Sequence, residues 1–268
     1  MGILSEIELE RYRRQLMLHG FGMAEQERLK ESTALVSGIG GLGGTAAIYL
    51  AVAGIGRLIL VHSGTLTLSN MNRQILMTHD WIGRPRVIRA KETLERLNPD
   101  VEIEVHDLRL NNENIMYLLN GVDIALSARP NFEERRVLNR GCIRKAIPMV
   151  EAAMNGMEGY IFNIIPGKGP CLDCLFPDDN PEWEELGFPV LGAVSGTLGC
   201  IMATEAIKLL TGYGKPLFRE MLLYNLHDLD FRKVRIRKDP SCRTCNEEDK
   251  PRKIQAPARA EPARQEMA

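Results

Sequence analysis

One stretch limits the folds open to this chain more than any other: Val36-Ser37-Gly38-Ile39-Gly40-Gly41-Leu42-Gly43-Gly44. An apolar, β-leaning run, Ala34-Leu35-Val36, leads into it, and a helical run, Thr45 to Ala53, leads out. A second β-leaning run, Leu58-Ile59-Leu60-Val61, follows Gly54-Ile55-Gly56. The order is strand, glycine-rich turn, helix, strand. Gly38, Gly40 and Gly43 fit G-x-G-x-x-G, with Gly41 inside the turn. Without Cβ atoms such a turn bends sharply and lets a phosphate reach the backbone N–H groups at the helix start. A tight βα turn that binds nothing is the alternative the glycines alone leave open.

The chain has 268 residues, enough for one large domain or two small ones. Charged residues make up 26% and nearly cancel, leaving a net charge of -1, so no nucleic-acid partner and no acidic membrane surface is indicated. There is no run of about 18 uninterrupted apolar residues, and no membrane span is expected. Met1 to Arg14 is charged and lacks an apolar signal core, which leads us to expect a cytoplasmic protein.

Ser5-Glu6-Ile7-Glu8 reads as a helix start with acids in its first turn. Glu10 to Gln15 carries three arginines, including Arg14, in what reads as a solvated helix face. Gly20-Phe21-Gly22 ends this segment, and Ala24 to Glu31 starts another helix. Past the second strand comes His62-Ser63-Gly64, then Leu68-Ser69-Asn70-Met71-Asn72-Arg73-Gln74. A dinucleotide-binding unit would carry an acid near His62 to hold ribose hydroxyls. Asn70 and Arg73 lie on a loop past a strand's carboxyl end, where open α/β sheets bind ligands.

Six cysteines form two classes. Cys171-x-x-Cys174 and Cys242-x-x-Cys245 are paired hooks that together supply the four thiolates of a tetrahedral zinc site. A redox pair or disulfides are the other readings of such spacing. Cys142 and Cys200 stand in apolar helical contexts and read as buried core residues.

Taken together, these stretches resemble the ThiF/MoeB/HesA adenylyltransferases, relatives of the ubiquitin-activating enzymes, and look closest to the molybdopterin-synthase adenylyltransferase type. The resemblance runs over roughly residues 5 to 246. It rests on Glu10 to Gln15, the glycine turn, Leu68 to Gln74, Ile82-Gly83-Arg84-Pro85-Arg86, Leu97-Asn98-Pro99 and Gly156 to Gly159. Gly169 to Cys174, Gly192 to Gly196 and Glu205 to Leu210 complete it. It implies an acyl adenylation, in which ATP with Mg²⁺ and the C-terminal carboxylate of a small ubiquitin-like sulfur carrier give an acyl-adenylate and pyrophosphate. It also implies structural zinc at the two hooks. Asn70, Arg73 and Arg86 would face the phosphates, and His62 would stand at the ribose. Arg14 would reach across a dimer interface into the other protomer's nucleotide. Arginine suits such roles because its planar fork stays charged and binds phosphate oxygens.

The chain departs from the family's pattern at one site. His62 and Gly64 stand where the family has acids, Arg86 where it has a lysine, and Pro130, beside Arg129, where it has the acid that helps hold Mg²⁺. Asp123, Glu133 and bound water are the other sources of oxygen ligands at this place. No cysteine lies between Cys174 and Cys200, and Trp183 stands near the place where some family members carry a transfer cysteine. Asn225 to Arg237 alternates as strands do. Residues 247–268, rich in Pro, Ala and charge, read as a disordered tail.

The expected architecture is a single α/β domain over 1–246. Its Rossmann-like sheet is parallel in its first half, with helices on both faces and a mixed C-terminal extension carrying the zinc. N-terminal helices occupy 1–30, the nucleotide-binding half 31–150, and the carrier-binding and zinc half 151–246. Three functions follow from the sequence. One is an adenylyltransferase with an altered site, acting on a carrier's C-terminal carboxylate or on another small carboxylate, as a homodimer or a heterodimer with another family member. The second is a non-catalytic subunit that lends Arg14 to a second family member in a heterodimer. The third, more distant, is a nucleotide-binding oxidoreductase, in which the cysteine hooks and the Asn-x-x-Arg-Gln segment would have no role.

Overall fold

Ser5 starts the first helix as the sequence suggests. Its side chain accepts from the Glu8 N–H while Glu8 reaches back to the Ser5 N–H, a reciprocal capping box. This computed structural model describes residues 3–178 and 187–246; the readings of Trp183 with its neighbours and of the tail lie outside the described residues. Helices α1 (Glu6–Arg11), α2 (Arg13–Leu16) and α3 (Met23–Glu31) precede the sheet. The chain breaks between α1 and α2 at Tyr12 rather than running on as one solvated helix. Tyr12 is buried, and its hydroxyl accepts from Asn98 Nδ2 at 2.9 Å. That anchor turns the arginine-rich segment against the body of the protein.

Next come β1 (Thr33–Ser37), α4 (Gly41–Ala53), β2 (Arg57–Val61), α5 (Arg86–Leu97), β3 (Glu102–His106), α6 (Ile115–Leu118), β4 (Ile124–Ser127) and α7 (Phe132–Lys145). Then follow β5 (Met149–Asn155), β6 (Glu158–Ile164), α8 (Leu172–Leu175), α9 (Gly192–Thr211), β7 (Glu220–Asn225), β8 (Asp230–Arg235) and α10 (Arg243–Asn246). Among the described residues eight strands form one sheet in the order β3-β2-β1-β4-β5-β6-β7-β8. The first five are parallel, and β6, β7 and β8 add antiparallel strands. The expected mixed sheet is therefore present. The reading of Asn225 to Arg237 needs shifting, because Asn225 ends β7 and the turn that follows delays the next strand to Asp230.

Alternation along the central strands sets the two faces. Ala34, Val36, Leu58 and Leu60 join the core beneath α4, α5 and α9, while Leu35, Ile59 and Ala125 join the opposite core beneath α6 and α7. Among the described residues α9 is the one helix long and apolar enough to cross a membrane, with a mean hydropathy of 1.3. Here Val194, Leu198, Met202 and Ala206 are buried in the core that also holds α4 and the sheet. The sheet order turns outward in both directions from the β1–β4 pair. Their carboxyl ends open a crevice at this switch point, the place where such sheets bind ligands.

Candidate functional site

A cavity of about 890 Å³ lies at that switch point. One wall is the glycine turn. Gly38 has φ +92°, and a Cβ there would stand 2.6 Å from the Ala128 carbonyl oxygen; a Cβ on Gly43 would stand 1.8 Å from the Gly38 oxygen. These two glycines let β1, α4 and the loop after β4 close on one another. Gly40, the N-cap of α4, and Gly41 line the cavity itself, so the start of this 13-residue helix faces it. The N-terminal turn of α9 also contributes to the lining through Ser195. Two helix N-termini thus add positive potential there.

Asn70, Arg73 and Arg86 line the same cavity. Their side chains are partly engaged with the chain itself. Asn70 Oδ1 accepts from the Thr67 N–H at 3.0 Å and caps the turn that carries it. Arg73 Nη1 donates to the Ser69 carbonyl (2.9 Å) and to Asn72 Oδ1 (2.8 Å). Arg86 Nη2 donates to the Ser63 carbonyl at 2.8 Å and Nε to the Gly64 carbonyl at 3.2 Å. Arg86 thereby holds the loop at which the family pattern has its second acid. Burial, then the charges of Arg129 and Arg73, bring the Arg86 pKa down to about 10. Burial also lowers that of Arg73. Arg14 stands apart: it is exposed on α2 and is not among the residues lining the cavity.

His62 is buried and lines the cavity. Its Nδ1 accepts from the Ile39 N–H at 3.3 Å and from Arg129 Nη1 at 2.7 Å. Both bonds need a lone pair on Nδ1, so the ring proton resides on Nε2, and Nε2 is buried without a partner. Burial first, then Arg86, Arg129 and Arg109, push the His62 pKa well below 6.5. The ring is neutral and presents a donor where the family pattern has an acceptor.

Arg129 is not the free cation that its place beside Pro130 suggests. Its Nε donates to Glu134 Oε2 at 2.8 Å, and Nη2 contacts the same oxygen. Glu134 also accepts from the Leu110 N–H (3.0 Å) and from Asn131 Nδ2 (3.1 Å). Pro130 lines the cavity and offers no side-chain oxygen. Neither substitute acid reaches the site. Asp123 lies before the amino end of β4 and accepts from the Thr33 N–H at 2.8 Å, and Glu133 is not among the lining residues. Mg²⁺ takes six oxygens in near-octahedral array, with one or two from carboxylates. Glu158 is the one carboxylate among the described lining residues, and its Oε1 accepts from Asn225 Nδ2 at 3.0 Å on the antiparallel side of the sheet. Among the described residues the donor set does not fit the Mg²⁺ that the family pattern implies.

Sequence reasoning missed Arg109, Arg135, Tyr160 and Phe176, all of which line the cavity. Arg109 follows the carboxyl end of β3, a position that could have flagged it. Arg135, on α7, left no such signal, because its partners Glu151 and Tyr160 lie on β5 and β6. Burial opposes its charge, but Glu151 and Tyr160 hold its pKa above the usual value. Tyr160 stacks on Phe176, with ring centroids 5.2 Å apart, and forms an aromatic wall on the antiparallel side.

The four hook cysteines lie far apart in sequence but meet in space. Sγ separations are 3.8 Å for Cys171–Cys174, 3.6 Å for Cys171–Cys242 and 3.5 Å for Cys174–Cys245. All four sulfurs lie within 4.8 Å of one another. Tetrahedral Zn–S bonds of about 2.3 Å give sulfur–sulfur edges of about 3.8 Å, so the cluster fits one such ion. None of these cysteines is in a disulfide. Asp173 braces the cluster by accepting from Thr244 Oγ1 at 2.5 Å and pairing with Arg136 of α7. Cys142 is fully buried as expected, whereas Cys200 is only half-buried, on the less buried side of α9.

The ThiF family model matches residues 12–244. Protein HesA of Leptolyngbya boryana is 58% identical over 242 residues, 90% of this chain and 87% of that protein. Molybdopterin-synthase adenylyltransferase of Escherichia coli (strain K12) is 37% identical over 252 residues, 92% of this chain and 100% of that protein. Sulfur carrier protein adenylyltransferase of Thermus thermophilus is 36% identical over 257 residues, 92% of this chain and 94% of that protein. The HesA protein therefore shares more identity with this chain than does the molybdopterin type that the motifs suggested. Among solved structures, PaaA superposes with a TM-score of 0.77 at 26% identity, covering 89% of this chain and 76% of that one. Escherichia coli MccB with ATP gives a TM-score of 0.77 at 22% identity over 88% of this chain and 74% of that one, a likeness of fold.

Proposed function

The chain belongs to the ThiF family, and from that premise we propose that it holds an adenine nucleotide in the switch-point cavity and acts on the C-terminal carboxylate of a small carrier protein. Two relatives bear the name adenylyltransferase, one of them for a sulfur carrier protein. The observation that carries the reading is convergence: the glycine turn, Asn70, Arg73 and Arg86, spread along the sequence from Gly40 to Arg86, line one cavity. In the reaction a carboxylate oxygen bonds to the α-phosphorus of ATP, the bond to the β-phosphate oxygen breaks, and pyrophosphate leaves. Arg73 and Arg86 would draw charge from the phosphate oxygens, and the α4 N–H groups would orient them. The aromatic wall of Tyr160 and Phe176 would flank the incoming tail.

Two features extend this reading. The sulfur cluster would hold one structural zinc, tying α8 to α10 and freezing the C-terminal half against α7. No cysteine lies between Cys174 and Cys200, so transfer of the acyl group to a thiol in that stretch has no acceptor.

A second reading is favoured by the triad of His62, Arg129 and Glu134. It leaves the chain's own ribose position without an acceptor, while Arg14 remains exposed and outside the chain's own cavity. Under that reading the chain is a partner subunit that supplies Arg14 to a second family member. Carrier-dependent exchange of labelled pyrophosphate into ATP tests both. Exchange by the purified chain alone supports catalysis in its own cavity. Exchange only after adding a second family member, abolished by Arg14→Ala in this chain, supports the partner role. No exchange and no nucleotide binding in either preparation would refute both.

A further inference from the structure

Among the described lining residues the cavity carries more positive charge than Glu158, with Asp107 close to Arg86, offsets. Among the described residues five arginines line it, Arg73, Arg86, Arg109, Arg129 and Arg135, against the single carboxylate of Glu158. Two of the five are neutralised from behind, Arg129 by Glu134 and Arg135 by Glu151. Arg73 and Arg86 donate to uncharged oxygens of the Ser63–Gly64 and Ser69–Asn72 loops. The starts of α4 and α9 add their dipoles on the same side. His62 is 7% exposed and neutral, and it keeps a buried Nε2 that has no partner. A buried donor without an acceptor is costly unless a ligand supplies one.

The same charges that attract an anion repel a cation. A divalent ion at the family's position would gain no carboxylate from Pro130, and because Glu134 already offsets the Arg129 charge beside it, the missing ligand is what disfavours a cation there. Glu134, an acid four residues past that place, already accepts from Arg129, Asn131 and Leu110.

Building on the nucleotide reading above, we propose that this cavity binds the polyphosphate of its ligand directly through guanidinium groups and helix N-termini, without a divalent cation. Arg73 and Arg86 take the charge that Mg²⁺ would otherwise neutralise. Guanidinium suits this because its charge persists at every physiological pH and its fork pairs with two phosphate oxygens.

The test is calorimetry on the full chain with tripolyphosphate and with ATP, each in excess EDTA and in excess Mg²⁺. The proposal expects tripolyphosphate and ATP to bind in EDTA. Mg²⁺ should leave the affinity unchanged or weaken it by up to about tenfold, since it removes charge from the anion. Arg86→Gln should weaken tripolyphosphate binding in EDTA by about tenfold or more, and Arg73→Gln serves if that variant fails to fold. Binding of either anion that appears only with Mg²⁺ overturns the proposal while leaving the nucleotide reading in place. Failure of tripolyphosphate to bind in EDTA also overturns it. Tripolyphosphate binding in EDTA without any ATP binding supports the metal-free anion site and instead removes the nucleotide reading.

Discussion

Replacing His62 by aspartate isolates the change at the ribose position. Nδ1 of histidine and Oδ1 of aspartate both hang from Cγ. In the His62→Asp variant the new Oδ1 would therefore take over the two bonds that Nδ1 accepts from Ile39 N–H and Arg129 Nη1. Arg129 would compensate the new buried charge, since it already lies 2.7 Å from that atom. The second carboxylate oxygen would remain for a ribose hydroxyl. One hydrogen bond to a charged group is worth about 1.5–3 kcal/mol, or roughly a ten- to hundredfold gain in affinity. Calorimetry in EDTA with ATP and with tripolyphosphate, which has no ribose, separates this gain from the added negative charge. ATP binding should strengthen relative to tripolyphosphate by about tenfold or more. A folded His62→Asp variant whose ATP-to-tripolyphosphate ratio is unchanged would refute the assignment of His62 to the ribose position.

Pro130→Asp should introduce a preference for Mg²⁺, read as a rise in the ratio of ATP affinity in Mg²⁺ to that in EDTA; combined with His62→Asp the gains should add to roughly a hundredfold for Mg-ATP if the sites do not couple. Elemental analysis of folded, chelator-washed protein should find one zinc per chain, and Cys174→Ser should lose it and lower the melting temperature by roughly 10 °C, at about 2–4 °C per kcal/mol lost. The folded His62 pKa lies well below the 6.5 of the unfolded chain, so the unfolded state binds more protons at acid pH. Native protein should therefore lose stability relative to a non-titrating His62→Asn variant as pH falls below 6.5, by up to about 1.4 kcal/mol per pH unit until the folded pKa is reached. Parallel urea-denaturation profiles for the two proteins from about pH 7 to about pH 5 would contradict this.

Local geometry was legible in the sequence where spacing alone encodes it. The glycine turn specifies a strand, a sharp bend and a helix within one short stretch. The two C-x-x-C hooks specify four convergent sulfurs, and the fold had only to bring the hooks together. Helix limits were less legible. Tyr12 looked like one more residue of a polar helix, because its burial depends on Asn98, 86 residues away. The start of β7 was missed for a related reason: Met221 to Asn225 pairs with β6, and nothing in its own pattern marks where that pairing begins.

The departures from the family pattern at this cavity were legible one by one but not as a unit. Read singly, His62 is a lost acceptor, Arg129 an added charge and Glu134 an ordinary first-turn acid on α7. In the fold these three residues form one hydrogen-bonded chain from the cavity wall to the Leu110 backbone. A neutral histidine beside an arginine requires that arginine's charge to be satisfied elsewhere, and Glu134 does so from five residues downstream. The acid that the family pattern has at His62 is thus paralleled by a buried acid, Glu134, behind the arginine and paired with it. The cavity has an anion-attracting field from Arg73, Arg86 and two helix starts, and it presents a donor, His62, where the family pattern has an acceptor. That combination favours retention of a phosphate-bearing ligand over the handling of a bound metal. It is why the affinity for free polyphosphate, rather than turnover alone, is the measurement that separates the readings of this chain.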